Sequence, residues 1–524
     1  MTMLTALARA KAAAAGRAQP VKMVRHVHLA ERPLVLVIAQ LAGEACAPLA
    51  AIAGDDRDKP RLLVVYEPRN RTQRFQFAAD LAEIVLGAID GYAPDPGPAD
   101  QVKPEPCPDA PQILVPNLPT VTFLRHLGRS TRFRRVTGEY AVPEAVPALG
   151  HWLSYYAERT EVPRSALMLP MTAALADHWV TGQSATEDAN LGALLGWIDL
   201  PPGMTGRDAA RAAEDPVRCP PAGPATDPAF DKDVLAPGLE AVRAAAASGD
   251  GLRLARAHTA MDDALRAQLE PTWALMWRAA DLLRAVPAAD HVERRWTDDR
   301  RSFTSQVEWL RGGGGPQPRR DSAVAAARRL ARLERDQQRY AAERAYDDPL
   351  VMAEYRMTGE AFGGTVIAVD PERVVNPTGK RLLLRPEITV ETDEPVLFAP
   401  GDVLRSPARP KQKAKITDVK ARAGRTLVTV ELEGAMGRKL TPEPGSVPAL
   451  DEEVTYTSLT IELQGQPPRF PAAADTPWTH GGPPPAYVPA GEDAPEGQEH
   501  GLALDQFTPE AYLPSDADAD EDWS

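Results

Sequence analysis

Cysteine is scarce in this sequence, and its scarcity argues against two kinds of scaffold. Among 524 residues there are three cysteines, Cys46, Cys107 and Cys219, which lie far apart and without C-x-x-C spacing. Such a set does not fit a structural zinc site, which needs closely spaced pairs of ligands. An odd, scattered set also does not fit the disulfide framework of a small secreted domain. We therefore expect a cytoplasmic protein without a metal site.

Long apolar runs are missing as well. The most apolar stretch, residues 33–53, is interrupted by Gln40, Gly43 and Glu44, and it is too polar and too short to span a bilayer. The first 21 residues contain a few basic residues and many alanines, but they lack the apolar segment of a signal peptide. We predict a soluble protein with no membrane partner and a flexible N-terminus at residues 1–21.

Motifs that indicate catalysis or cofactor binding are absent too. GxGxxG, HExxH and GxSxG do not occur, and GGGGPQPRR at 312–320 lacks the Lys-Ser/Thr pair of a Walker loop. His26 and His28 share one face of a predicted strand, but no carboxylate or cysteine of suitable spacing accompanies them, so we interpret them as structural. The sequence predicts no cofactor and no metal, and it favours a non-enzymatic protein over an enzyme.

What is present is a hydrophobic pattern whose period changes along the chain. Compact apolar runs indicate strands, apolar residues three or four apart indicate helices, and strict alternation indicates a second group of strands. Glycines with prolines indicate a flexible break, and many acids and prolines with few apolar residues indicate disorder. The sequence predicts an α+β multidomain protein with a small α/β unit at 22–117, a central helical domain at 118–311, a Gly/Pro hinge at 312–318, an arginine-striped linker helix at 319–361, a small β-barrel of the OB or SH3-like kind at 362–465 and a disordered, acidic, proline-rich tail at 466–524.

Negative charge is concentrated at one end of the chain. Residues 466–524 contain twelve carboxylates and one cationic residue, Arg469, which gives a net charge of −11. The whole chain has a formal charge of −14, so −3 remains for residues 1–465. The arginine clusters of this nearly neutral body are therefore candidates for binding anions.

The predicted linker helix contains the first cluster. Residues 319–348 include eight arginines, and four of them step by four, three and four positions: Arg328, Arg332, Arg335 and Arg339. This spacing places them on one face of a helix, within about 60°. Leu330 and Leu333 fall roughly opposite, so one edge can dock while the arginine edge faces phosphates, an acidic protein or solvent.

Two further clusters combine basic residues with aromatic or strand residues. The second, RHLGRSTRFRR, contains Arg125, Arg129, Arg132, Phe133, Arg134 and Arg135. Arginines beside an aromatic ring suit phosphate contact with base stacking, although a surface loop paired with acids is the alternative. The third, RSPARPKQKAK, is predicted as a loop between barrel strands and contains Arg405, Arg409, Lys411, Lys413 and Lys415. A weaker group between a strand and a helix consists of Arg69, Arg71 and Arg74.

Three classes of function remain open. The first is a nucleic-acid-associated accessory protein, binding DNA or RNA through these clusters and working with a separately encoded ATPase as a protein partner. The second is a scaffold whose arginines pair with protein. The third is an enzyme with an unrecognised site in the N-terminal α/β unit, which needs a pocket with at least two convergent titratable residues. In the helical domain, Asp177 with His178, or Glu158 with Glu161, could also pair as acid and base, although such pairs arise by chance in helical proteins.

Overall fold

The computed structural model describes residues 2–44, 46–92, 106–314, 323–376, 379, 382–461 and 469–472. Nearly all of the predicted tail and most of the predicted hinge lie outside these residues. The helices are α1 (Met3–Ala15), α2 (Arg71–Asp90), α3 (Leu118–Thr131), α4 (Ala145–Arg159), α5 (Met171–His178), α6 (Leu191–Ile198), α7 (Gly206–Ala213), α8 (Pro228–Phe230), α9 (Ala236–Ser248), α10 (Gly251–Ala285), α11 (Val292–Arg311), α12 (Ala323–Asp347) and α13 (Pro349–Thr358).

The strands fall into an N-terminal group and a C-terminal group. The first group consists of β1 (Gln19–Pro20), β2 (Leu34–Gln40), β3 (Pro48–Gly54), β4 (Arg61–Val64), β5 (Ile113–Val115), β6 (Met168–Pro170) and β7 (Trp179–Val180). The second consists of β8 (Ala361–Asp370), β9 (Val374–Val375), β10 (Leu383–Leu384), β11 (Glu387–Thr392), β12 (Val403–Ser406), β13 (Arg409–Arg422), β14 (Arg425–Glu433) and β15 (Glu453–Thr457). In the described part of the chain no helix is long and apolar enough to cross a membrane.

A five-stranded sheet organises the N-terminal half, in the order β4-β3-β2-β5-β6. β5 pairs in parallel with β2 and β6, whereas β3 is antiparallel to β2 and β4. The uninterrupted apolar run of β2 is buried on both faces, as expected for a strand between two helical layers. Leu36 and Ile38 lie in the core with α2, α4 and α11, and Val35 and Val37 lie in the core with α6 and α10.

This sheet crosses the predicted boundary between the α/β unit and the helical domain. β6 lies beyond residue 117, and α3 and α4 share one core with α2 and the sheet. A boundary at 117/118 therefore divides one folded unit. The three residues of β6 are too few to show a strand period, and this is why the sequence pattern missed them.

The N-terminus is ordered, which corrects the prediction of a flexible segment at 1–21. Thr2 caps α1 with its hydroxyl, and Gly16 ends the helix in the left-handed conformation at φ 63°. Ala12 is fully buried, and β1 pairs with β7. The Thr2 hydroxyl also donates to Glu354 of α13 at 2.9 Å, so the N-terminus contacts the helix that precedes the barrel.

The period-two alternation beyond residue 361 is confirmed as a closed six-stranded barrel. Its order is β11-β14-β13-β12-β15-β8, and every neighbouring pair is antiparallel. Inward-facing residues such as Phe362, Val390, Val430 and Tyr456 fill the interior. The apolar residues Leu383 and Leu384 form β10, which pairs with β9 outside the barrel.

The predicted continuous helix at 319–361 is two helices. α12 ends at Asp347, and Asp348 takes an extended conformation and accepts from the Leu350 N–H as the N-cap of α13. Pro349 occupies the first position of α13, where its missing N–H is tolerated. Residues 319–322 lie outside the described part of the chain. The chain therefore turns just before it enters the barrel.

Candidate nucleic-acid interface

The second predicted cluster lies at the end of α3 and in the loop that follows. Asn117 begins the helix by accepting from the Thr120 N–H, and Arg132 ends it. Arg129, Arg134 and Arg135 are exposed, as expected for a binding surface. The Arg132 guanidinium carbon lies 4.8 Å from the ring centroid of Phe133, whose side chain is 46% exposed.

Arg125 departs from the prediction for this cluster. Its guanidinium forms an ion pair with Glu161 at 3.1 Å and donates to the Ala157 carbonyl at 3.2 Å. These contacts join α3 to the end of α4. Arg125 is therefore a structural residue and not part of a free anion-binding surface.

Residues of α2 complete the surface. Arg71 donates to the Tyr140 carbonyl at 2.8 Å, and its guanidinium carbon lies 4.7 Å from the Phe75 centroid. The Arg134 guanidinium lies 5.4 Å from the same centroid, so two cations share one ring. Tyr140, which is 69% exposed, lies 5.8 Å from Arg71. We call this surface the α2–α3 patch, and it consists of Arg71, Phe75, Arg129, Arg132, Phe133, Arg134, Arg135 and Tyr140.

The patch carries uncompensated positive charge. Within the described residues, Arg71, Arg129, Arg134 and Arg135 form no ion pair with a carboxylate. Two exposed acids, Glu139 and Glu144, lie in or next to the same loop. Glu44 is occupied by the neighbouring residues of the weaker predicted group, Arg69 at 3.0 Å and Arg74 at 3.8 Å.

The fold places this charge at a sheet edge. β4 runs parallel to β2, since both are antiparallel to β3, and α2 begins just beyond the carboxyl end of β4. Asn70 caps α2, whose first turn contains no acidic residue. The Asn70 side chain accepts from the Thr72 and Gln73 N–H groups of that turn, and the dipole of the helix adds partial positive charge beside Arg71. Ligands of open α/β sheets commonly bind outside the carboxyl ends of the strands.

Sequence reasoning found only part of the patch. It found only a weak signal for Arg71 and did not indicate Phe75, which lies 57 residues before Arg132, or Tyr140, which lies eight residues after Arg132 in the same loop. The two segments RTQRF and RFRR share a phenylalanine next to an arginine, and this shared feature was the sequence signal for the patch. What the sequence could not supply is the packing of α2 against α4, which brings the two segments together.

Some arginines of the α12 stripe are exposed, and others contact residues of the same fold. Arg332 is exposed and Arg335 half-buried, and neither pairs with an acid among the described residues, whereas Arg328 lies 6.0 Å from the Phe470 ring. Arg339 donates to Glu343 at 3.1 Å. Glu343 therefore neutralises Arg339, so the stripe is only partly charged. The apolar edge of Leu330 and Leu333 was predicted to pack against the protein, but Leu330 is 58% exposed.

A buried ionic network holds the second half of α12. Glu343 is fully buried and accepts from Arg295 at 2.9 Å and from Arg294, both on α11. One turn later, Asp347 pairs with His291 at 2.5 Å and with Arg295 at 3.8 Å. We call Glu343, Asp347, His291, Arg294 and Arg295 the α11–α12 network. The charged sequence of α12 therefore serves largely to attach this helix to the body.

The third predicted cluster does not form a binding loop. It folds into β12 and β13, and Arg405 is only 4% exposed. Arg409 makes a two-pronged ion pair with Glu452, with contacts of 2.8 and 3.2 Å. Lys413 lies opposite Glu433, and Lys415 lies opposite Glu431. Lys411 is exposed. Glu431 and Glu433 form their ion pairs with Arg373 and Arg385, so among the described residues Arg409 is the member of this cluster that has an ion-paired carboxylate.

The α2–α3 patch and the α12 stripe lie toward opposite ends of α4. Arg132 packs against Gly150 in the first half of α4, so closely that a Cβ at Gly150 would overlap its backbone. Arg164, which follows α4, pairs with Asp336 of α12 at 3.4 Å. Because a helix rises about 1.5 Å per residue, the part of α4 from Gly150 to its end at Arg159 is roughly 13 Å long, and Arg164 lies beyond that end. The predicted clusters do not merge into one face.

The residues considered for catalysis are engaged in structural contacts. Asp177 pairs with Arg344 at 2.9 Å, and buried His178 contacts the Ala174 carbonyl at 2.7 Å. His26 is buried between His178 and Asp348, which fits its structural interpretation. No group of three or more potential ligands among the described residues could hold a metal ion.

Comparison of the chain with protein-family models, with curated proteins and with solved structures finds no match. The function must therefore be inferred from the site itself, and the α2–α3 patch is the predicted surface that remains exposed and charged.

Proposed function

We propose that this chain is a non-enzymatic accessory protein that binds nucleic acid through the α2–α3 patch. The observation that carries the proposal is the pair of guanidiniums at Phe75. Arg71 and Arg134 lie 4.7 and 5.4 Å from one ring centroid and have no carboxylate partner among the described residues. Their guanidinium carbons are therefore at most about 10 Å apart.

Two cations at this distance repel each other. The repulsion is about 0.4 kcal/mol in water and about 1.7 kcal/mol at the effective dielectric constant of a protein surface. An anion placed between them reverses the sign of the interaction, and the backbone of a nucleic acid supplies anions at regular intervals. Both guanidiniums lie over the Phe75 ring, and Arg71 also donates to the Tyr140 carbonyl and Arg134 to the Ser130 carbonyl, so little side-chain entropy is lost on binding.

The contacts available are to phosphate and to the faces of bases. Arg129 and Arg135 extend the charge from α3 into the loop. Because contacts to phosphates and to the faces of bases carry little sequence information, we expect little sequence preference.

Binding and its salt dependence test the proposal. We expect a fluorescein-labelled 20-nucleotide strand to bind the full chain, measured by anisotropy from 50 to 300 mM NaCl. Replacing Arg71, Arg134 and Arg135 with Gln keeps the aliphatic stems and removes three cations. The slope of log K against log salt should become less steep by about 0.7 for each lost phosphate contact on a single strand.

A matched variant separates this effect from a general loss of charge. Arg253, Arg256 and Arg422 are exposed and lie outside the patch, and replacing them with Gln removes the same charge. This control should retain a slope close to that of the wild type. Absence of binding at 50 mM NaCl, or equal slopes in the two triple variants, would reject the patch as a nucleic-acid site and leave the scaffold function.

A further inference from the structure

We infer that the α2–α3 patch selects single-stranded over duplex nucleic acid by stacking unpaired bases on Phe133 and Tyr140. This inference rests on the proposed function and names its substrate. The two rings are 46% and 69% exposed and lie seven positions apart in one loop. Large exposed aromatic rings in a positively charged setting are typical of proteins that track a single strand.

Each ring has a guanidinium near it and carries no other aromatic contact among the described residues. Arg132 lies 4.8 Å from the centroid of Phe133, and Arg71 lies 5.8 Å from that of Tyr140. No second ring stacks on either of them within the described part of the chain. A base can therefore pack on the ring while its phosphate reaches a neighbouring arginine.

The loop that carries both rings is held by its own hydrogen bonds. The Val142 N–H donates to the Arg135 carbonyl at 3.0 Å, and Arg71 donates to the Tyr140 carbonyl at 2.8 Å. Gly138 makes the turn with φ 91°, a conformation that residues with a Cβ rarely adopt. Because these bonds involve backbone atoms, changing either ring leaves them intact. The rings are thus displayed by an ordered loop, which reduces the entropy lost on binding.

Stacking discriminates between the two forms of nucleic acid. In a duplex each base already stacks on its neighbours and is not free to pack on a protein ring. A single strand gains about 1–3 kcal/mol for each base that stacks on an aromatic side chain. Phosphate contacts are available in both forms, so the arginines alone provide little selectivity.

The experiment compares ring substitutions on two probes. Anisotropy titrations use labelled dT20 and a labelled 20-base-pair duplex, with the full chain at 100 mM NaCl. Phe133→Leu with Tyr140→Leu keeps apolar bulk and removes the flat faces, and it should weaken dT20 binding about tenfold or more, as the loss of one or two stacked bases requires. Duplex affinity and the salt slope on dT20 should remain within experimental error.

The tryptophan pair is the matched control. Phe133→Trp with Tyr140→Trp restores large flat faces and should bind dT20 at least as tightly as the wild type. Equal wild-type affinity for the two probes, or an equal loss on both in the leucine pair, would overturn the stacking inference while leaving nucleic-acid binding intact. Failure of the wild type to bind either probe would instead reject the proposed function.

Discussion

At the scale of single residues, His28 shows how burial determines protonation. Its ring stacks on Trp296 with a centroid distance of 3.9 Å and an interplanar angle of 9°. Its Nε2 is buried and has no hydrogen-bond partner among the described residues. Burial lowers the pKa of His28 to about 4, and Arg25 and Arg300 act in the same direction, against the opposing effect of Asp109. The neutral ring is therefore the form that the fold accommodates.

His28 makes stability fall with acidification between its unfolded and folded pKa values. The contribution is fully present above pH 6.5 and is lost as pH falls toward 4, because the unfolded chain takes up the proton first. Its full size is on the order of 3 kcal/mol. His28→Phe keeps the stacking and removes the titration. Urea unfolding at pH 7, 5.5 and 4.5 should show a smaller loss of stability in this variant, and equal losses in both proteins would contradict the prediction.

Residue identity alone did not separate exposed arginines from structural ones. Arg129 and Arg405 both lie in basic clusters of the sequence, yet one is exposed and the other is 4% exposed in the barrel wall. Whether a guanidinium is free depends on acids that are distant in sequence, such as Glu161 for Arg125 or Glu452 for Arg409. Such pairings arise from tertiary packing, so the clusters could be located from sequence but their partners could not.

At the scale of elements, α12 is attached to the body mainly through charge. Glu343 and Asp347 lie one turn apart on the buried face of the helix, where apolar residues are usually found. Arg295, itself 2% exposed, reaches both of them and also donates to the His26 carbonyl at 3.0 Å. Buried pairs of this kind stabilise a structure only while every member is matched.

Removing one member of the α11–α12 network should be costly. Glu343→Gln removes the carboxylate that Arg294, Arg295 and Arg339 share and leaves buried Arg295 with Asp347 at 3.8 Å, so we expect a loss of about 3 kcal/mol in the free energy of unfolding. Glu334→Gln removes an exposed carboxylate from the same helix and should change stability by less than about 0.5 kcal/mol. Urea unfolding of both variants provides the comparison, and similar values for the two would show that the network contributes little.

The sequence predicted elements correctly where a periodic apolar pattern extends over many residues, and it missed elements that are short. The alternation from β11 to β15 indicated the barrel, and the run of β2 indicated a buried strand. The sequence did not predict β6, which has three residues, or the break at Asp348. Neither feature is long enough to produce a periodic pattern of apolar residues. A cap followed by proline, Asp348-Pro349, was the local signal for the second helix start.

At the scale of the whole molecule, residues on both sides of the segment at 312–318 are joined by contacts in addition to the chain itself. Asp348 accepts from the Met23 N–H at 2.7 Å, and Thr2 donates to Glu354 at 2.9 Å. The α11–α12 network adds Glu343 and Asp347 to the same junction. The sequence pattern suggested two separable parts connected at 312–318, because contacts between distant segments leave no trace in local periodicity.

We therefore predict that cutting the linker does not separate the two parts. A site-specific protease sequence inserted between Gly315 and Pro316 allows one defined cut. The fragments should elute together from a size-exclusion column at 150 mM NaCl, because buried ion pairs are screened much less than exposed ones. Glu343→Gln in the same cut protein should loosen the complex. Separate elution of the wild-type fragments would show that the junction is weaker than its contacts indicate.

The link between Met23 and Asp348 also has a consequence for the order of events during synthesis. The two residues are 325 positions apart in the chain. At a translation rate of about 5–20 residues per second, roughly 16 to 65 s pass before the ribosome adds the acceptor for this N–H. Over that time His26, which lies 3.5 Å from the Asp348 carboxylate in the finished fold, has no counterpart there. A chain released before residue 348 would lack the contacts of Met23 and His26 with Asp348. Chaperones and proteases recognise such incompletely folded chains.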